Sequence, residues 1–126
     1  MSVVLDASAV LAFLHDEPGG DRISSVLDGA SISTVNWSEV VQKALQKGVD
    51  VDGMQQEFIA LGVQFADFTP RQAEIAAKLW PQTRDHGLSL ADRACLALAI
   101  DKELPVWTAD RVWADLSLHI VMQVIR

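Results

Sequence analysis

Tyrosine is absent from this 126-residue chain, cysteine occurs once, histidine three times and proline four times. The single cysteine, Cys95, excludes an internal disulfide and a cysteine-based zinc centre. Its surroundings, Ala94-Cys95-Leu96-Ala97-Leu98-Ala99, predict a buried packing residue rather than a nucleophile. His15, His86 and His119 are scattered and show no metal-ligand spacing, so no catalytic role is expected of them. No apolar run approaches the roughly 20 residues of a membrane span. The start, Met1-Ser2-Val3, lacks the basic region and cleavage site of a signal peptide. The expectation is a cytoplasmic protein without a membrane partner. Cations are the scarcer charge, with 10 Lys and Arg against 17 Asp and Glu and a net charge of -7. That balance argues against nucleic-acid binding through a broad basic face, which depends on neutralising phosphates. Two local cations, Arg93 and Arg111, each directly follow an aspartate and are candidates to meet a phosphate.

There is also no repeat, no linker and no low-complexity segment, and the length suits one domain with one core, residues 1–126. Short β-branched runs alternate with longer helical patterns, the signature of βαβ units. Strands are expected at Val3–Leu5, Ala30–Ser33, Val63–Phe65, Val106–Thr108 and His119–Val124. The expected fold is a three-layer α/β/α sandwich with a mostly parallel central sheet of four to five strands. The run Asp16-Glu17-Pro18-Gly19-Gly20 should end a first short helix and start a second carrying Ile23, Val26 and Leu27. Thr34 is the expected N-cap of a helix ended by Gly48. Thr69-Pro70 is a stronger start, with threonine as cap and proline in the first helical position, and Pro81 should kink or end that helix after Trp80. Ser89 should cap a helix running to about Lys102. The four tryptophans are expected to anchor the core rather than stack bases.

Four acidic residues fall where such a sheet would meet its helices. Asp6 follows the first strand, Glu39 and Asp92 lie just inside helices, and Asp110 follows the Val106–Thr108 strand. Strand ends are where parallel folds place their chemistry. Carboxylates brought within a few Å of each other repel by roughly 4 kcal/mol per pair at an effective dielectric of 20, which a bound divalent cation would resolve. Each position has a plainer reading as well. Asp6 can open a turn, Glu39 can be a solvated helix residue, and Asp110 can cap the segment after Thr108. Asp92 stands three residues after Ser89, the spacing of a capping box. Asp67 reads as a loop residue and Asp115 as a surface one.

Taken together, Val3-Val4-Leu5-Asp6-Ala7-Ser8-Ala9, Asn36-Trp37-Ser38-Glu39-Val40, Leu88-Ser89-Leu90-Ala91-Asp92-Arg93-Ala94 and Trp107-Thr108-Ala109-Asp110 occur in the order and spacing of a known family. The chain resembles the PIN domain, and most closely the VapC-type toxins of bacterial toxin–antitoxin pairs, over essentially its whole length. The resemblance implies a metal-dependent endoribonuclease that leaves a 5′-phosphate and a 3′-hydroxyl. It makes Asp6 and Asp92 the principal Mg2+ or Mn2+ ligands, with Glu39 and Asp110 completing the acidic pocket. Ser8 and Thr108 become hydroxyls that orient a water or phosphate. It also implies a VapB-like antitoxin whose tail covers the active-site groove, and a homodimer. Oxygen donors suit magnesium, which keeps several waters, and not zinc.

Three rivals are weighed against this reading. A receiver domain would need an acidic pair after the first strand and a lysine after the fifth; Asp6 stands alone and no such lysine is present. A phosphatase of the Asp-x-Asp type is disfavoured by Ser8. A non-catalytic PIN-like binding module would be expected to have lost one or more of the four acids, and all four are here.

Overall fold

The computed structural model of the chain describes residues 2–126. Among these, five short strands form one wholly parallel sheet in the order β3-β2-β1-β4-β5: β1 Val4–Leu5, β2 Ser31–Ser33, β3 Gln64–Ala66, β4 Val106–Thr108 and β5 Met122–Val124. The register sets Val4 opposite both Ser31 and Val106, and Leu5 opposite Trp107. All five carboxyl ends therefore open on the same edge. The helices are α1 Ala7–Leu14, α2 Gly20–Ser24, α3 Thr34–Gln46, α4 Met54–Ala60, α5 Pro70–Lys78, α6 Trp80–Thr83 and α7 Leu90–Lys102.

Alternation along β1 divides the core. Val3 and Leu5 pack with Val10, Ile23, Val40 and Phe58 of α1–α4 on one face, whereas Val4 packs with Leu96, Leu98, Val106 and Trp113 on the other. This is the three-layer sandwich expected from the sequence. α7 is buried continuously from Ala94 to Ala99, Cys95 included, which explains why its sequence carries no polar stripe there.

Local boundaries differ from the sequence expectation in instructive ways. β5 starts at Met122 instead of His119, because its partner β4 begins only after Pro105 and Val106 is the first residue paired across to it. β3 is displaced by one residue and β2 begins at Ser31. The cap of α3 is Ser33 and not Thr34: β2 runs into the helix without a loop, the Ser33 hydroxyl accepts from the Val35 amide, and Thr34 instead accepts from the Phe68 amide. α2 ends at Ser24, leaving Val26 and the buried Leu27 beyond it. The break expected after Trp80 comes at Leu79. Pro81 sits in the first turn of α6, where a missing N–H costs nothing. Trp80 is also no core anchor, being 50% exposed under the Arg84 guanidinium. Trp113 is buried, and Trp37 packs edge-on against Phe58 and Phe65.

Candidate active site

Asp6 emerges from a strand with no exposed residue and turns at once into α1, whose N-cap it is, its Oδ1 accepting from the Ala9 amide at 2.9 Å. The parallel pairing of β1 with β4 brings Thr108 beside it, and the Thr108 hydroxyl donates to Asp6 Oδ2 at 2.6 Å. Ser8, in the first turn of α1, places its hydroxyl 2.8 and 2.9 Å from the two carboxylate oxygens and accepts from the Ala109 amide. Asp6 is thus 3% exposed and held by neutral donors, with no cation against it. Burial pushes its carboxyl up to about 6; the bonds from Thr108, Ala9 and Ser8 oppose that shift, and the charge of Asp92 adds to it.

Asp92 forms a capping box at the start of α7. Its Oδ2 accepts from the Ser89 amide and the Ser89 hydroxyl accepts from the Asp92 amide. The two readings open for this residue in the sequence are not exclusive, because the same side chain also lines a cavity shared with Asp6. Glu39 reaches that cavity from α3. Asn36, one turn before it, donates from Nδ2 to Glu39 Oε1 and to the Ala91 carbonyl in the first turn of α7, so α3 and α7 are tied where the two acids meet. Desolvation raises the Glu39 carboxyl, Asn36 lowers it, and Asp92 raises it again. Asp110 completes the set from the end of β4, capping the 3-10 turn Arg111–Asp115 through Val112.

Asp6, Glu39, Asp92 and Asp110 all line one cavity of about 260 Å3, together with Ser8 and Lys43. Thr108 stands behind Asp6, fully buried, and its hydroxyl meets the cavity wall at the Asp6 carboxylate, the Ser8 hydroxyl and the Asp110 amide. The two arginines singled out from the sequence lie elsewhere. Arg93 turns to α5 and donates to the Ala76 carbonyl, and Arg111 donates to the Arg126 carbonyl. Asp67 and Asp115 are exposed, as expected. Two residues in this neighbourhood escaped the sequence reading. Lys43 follows Glu39 by four residues, an ordinary helical ion-pair spacing with no functional mark of its own. Asn36 precedes Glu39 by three, and only the packing of α3 on α7 shows what it does.

Among the described residues, no three His, Cys, Asp or Glu side chains stand close enough together to hold a metal ion directly. The four acids surround a space instead of converging on a point. That arrangement still fits a hard, hydrated cation. Every donor is oxygen, Asp92 and Asp110 each have an oxygen outside the bonds just described, and six waters at about 30 Å3 each would fill most of the cavity. The buried carboxyl of Asp6, short of positive charge, is the observation that most favours such an ion.

A family model described as the PIN domain matches residues 3–117. No curated protein matches the sequence. Several solved structures share the fold at low identity. A toxin–antitoxin complex from Klebsiella pneumoniae superposes with a TM-score of 0.69 at 19% identity, over 91% of this chain and 92% of that one. DNA-bound VapBC from Salmonella typhimurium gives 0.72 at 14%, over 100% and 99%. VapC20 of Mycobacterium tuberculosis, a sarcin–ricin loop cleaving toxin, gives 0.71 at 15%, over 90% and 94%. With the parallel five-stranded sheet, the acids gathered at its carboxyl edge and a family model spanning nearly the whole sequence, the chain belongs to the PIN domain family.

Proposed function

We propose that the protein is a metal-dependent endoribonuclease and the toxin of a VapBC-type pair. The observation that carries this reading is the cavity walled by Asp6, Glu39, Asp92 and Asp110 at the carboxyl edge of the sheet. Asp6 and Asp92 would hold the ion as its principal ligands, and Glu39 and Asp110 would complete the acidic pocket through the metal, its waters or a second ion. The cation, Mg2+ or Mn2+, supplies charge for the phosphodiester and lowers the pKa of a water. The chain's own residues do the positioning. Ser8 and Thr108 lock the Asp6 carboxylate in one orientation. Glu39, hydrogen-bonded by Asn36, would steer an attacking water and take its proton, a role that its raised carboxyl supports. The capping box holds Asp92 at the start of α7, whose middle, Ala94 to Ala99, is buried.

A VapB-like antitoxin and a homodimer belong to the same proposal. The antitoxin tail would lie between the early helices, around Val10–Leu14 and Val40–Leu45, where Leu45 is 57% exposed. An arginine from the tail would pair bidentately with carboxylates there. Among the described residues no helix is long and apolar enough to cross a membrane, and the proposed site of action is the cytoplasm.

Purified protein should cleave a structured RNA in Mg2+ or Mn2+ and stop in excess chelator. Asp6→Asn should fold, since asparagine also caps helices, and should lose cleavage by about 10²-fold or more, a few kcal/mol of transition-state stabilisation. Products should carry a 5′-phosphate. Full activity in chelator, or 2′,3′-cyclic ends, would remove the activated-water mechanism; no cleavage of any RNA would leave the non-catalytic binding module as the better reading.

A further inference from the structure

A second cavity, of about 220 Å3, adjoins the acidic one and shares Ser8 and Lys43 with it. Its character is opposite. Lys43, Lys47 and Arg126 line it against a single acid, Glu17, in a molecule whose net charge is -7. Glu17 sits between two of the cations, 3.6 Å from Lys47 and 3.2 Å from Arg126, and holds them on the wall of this space. The Lys47 side chain is 57% exposed, so a stronger anion can take it over, whereas the Arg126 side chain, 32% exposed, also donates to the Pro18 carbonyl, which fixes it on the wall.

A polyanion faces a specific obstacle here. The catalytic cavity is ringed by carboxylates, and even a bound dication leaves the surrounding acids to repel the phosphates on either side of the one being cut. Those flanking phosphates need positive charge within a nucleotide's reach of the acidic centre. Among the cations singled out from the sequence, neither Arg93 nor Arg111 lines the acidic cavity or the space beside it. Lys43, Lys47 and Arg126 line the space directly beside it.

We infer that the Lys43–Lys47–Arg126 cavity is a phosphate subsite that seats the RNA backbone next to the scissile bond, with Glu17 as the internal anion displaced on binding. The inference rests on the nuclease reading and assigns that reading its substrate track. Lys43 borders both cavities and marks the crossing point between them. The contact is to phosphate, so it adds affinity and register without base preference.

The test uses the full chain, a short labelled single-stranded RNA of mixed sequence, and fluorescence anisotropy in chelator across a salt series. Lys47→Gln should weaken binding about two- to fivefold at low salt and reduce the slope of log K against log salt by about 0.7, the value for one phosphate contact on a single strand. Glu17→Gln should act in the opposite direction and tighten binding. Lys102→Gln, at the far end of α7, makes the same change in net charge and should leave the slope unaltered. A role confined to the Glu17–Lys47 ion pair would move Lys47→Gln and Glu17→Gln the same way, and a pure net-charge effect would make Lys47→Gln and Lys102→Gln alike. Either result overturns the subsite, as does the absence of RNA binding at low salt. Cleavage of the same RNA in Mn2+ is scored separately. A wild-type protein that cleaves while Lys47→Gln leaves KM and salt slope untouched would sink the subsite and spare the nuclease; one that binds with the expected slopes but never cleaves would do the reverse.

Discussion

At Asp6, burial and hydrogen bonding pull in opposite directions. Three neutral donors stabilise the anion, yet desolvation outweighs them and the carboxyl rises from an ordinary 3.8 to about 6. A rise of about two units corresponds to roughly 3 kcal/mol between the two protonation states. Because the folded-state pKa lies above the unfolded one, the native state binds more protons between about pH 4 and pH 6, and stability falls as pH climbs through that window. Glu39 is shifted the same way. In chelator, the wild-type melting temperature should therefore rise by several degrees as pH drops from 7.5 to about 5, before wider acid effects set in. Asp6→Asn should flatten that response and melt higher than wild type at pH 7.5. If the variant shows the same pH dependence as wild type, Asp6 is not the group holding the strain. Cys95, by contrast, has its thiol pushed well up, chiefly by burial, which fits an inert packing role.

At the scale of the elements, α7 shows how one side chain serves a helix and a site together. Asp92 satisfies the Ser89 amide and also faces Asp6 and Glu39, so its removal has two opposing effects on the metal-free protein. Loss of the capping-box bond costs about 0.5–1 kcal/mol, and relief of like-charge repulsion returns a comparable amount. In chelator Asp92→Asn should stay within about 0.5 kcal/mol of wild type, whereas Ser89→Ala should drop by about 1 kcal/mol. Excess manganese should restore the difference. Ser89→Ala keeps the full stabilisation that a ligand of the folded state confers, and Asp92→Asn loses most of it. Melting curves of the three proteins in both conditions decide the matter: an Asp92→Asn variant that keeps the full manganese shift removes Asp92 from the site. The same elements show what local sequence can carry. Thr69-Pro70, Ser89 with Asp92, and the apolar β4 announce themselves through chemistry confined to a few neighbouring residues, and all stand where expected. Ser33 displaced Thr34 as the cap of α3 because β2 and α3 abut, a fact of three-dimensional length that a cap preference does not encode. The direction of Arg93 and the bridge from Asn36 to Ala91 depend on which helices pack together, and no local pattern near either residue reports it.

For the molecule as a whole, the acidic cavity is a deficit of positive charge that three kinds of partner can fill: a proton on Asp6, a divalent cation, or the basic side chain of a bound tail. All three act on the same carboxylates, so each must weaken the others. Thermodynamic linkage makes the weakening reciprocal, with manganese lowering the affinity for the tail by the same factor that the tail lowers the affinity for manganese. The consequence concerns regulation in the proposed toxin–antitoxin pair. An arginine-bearing tail would silence the enzyme by replacing the cation electrostatically as well as by covering the groove. Titrating a peptide from the basic tail of the adjacent gene's product into the protein should give a dissociation constant that rises with manganese concentration. Replacing the tail's arginine with alanine should remove that dependence while leaving residual binding through the apolar helix faces. Lowering the pH from 7.5 to about 5.5 should weaken the arginine peptide and the metal together, since both require the Asp6 carboxylate ionised. Binding of the unaltered peptide that is indifferent to manganese would mean the tail inhibits from outside the acidic cavity, and the antitoxin's arginine would then have to be placed elsewhere on the surface.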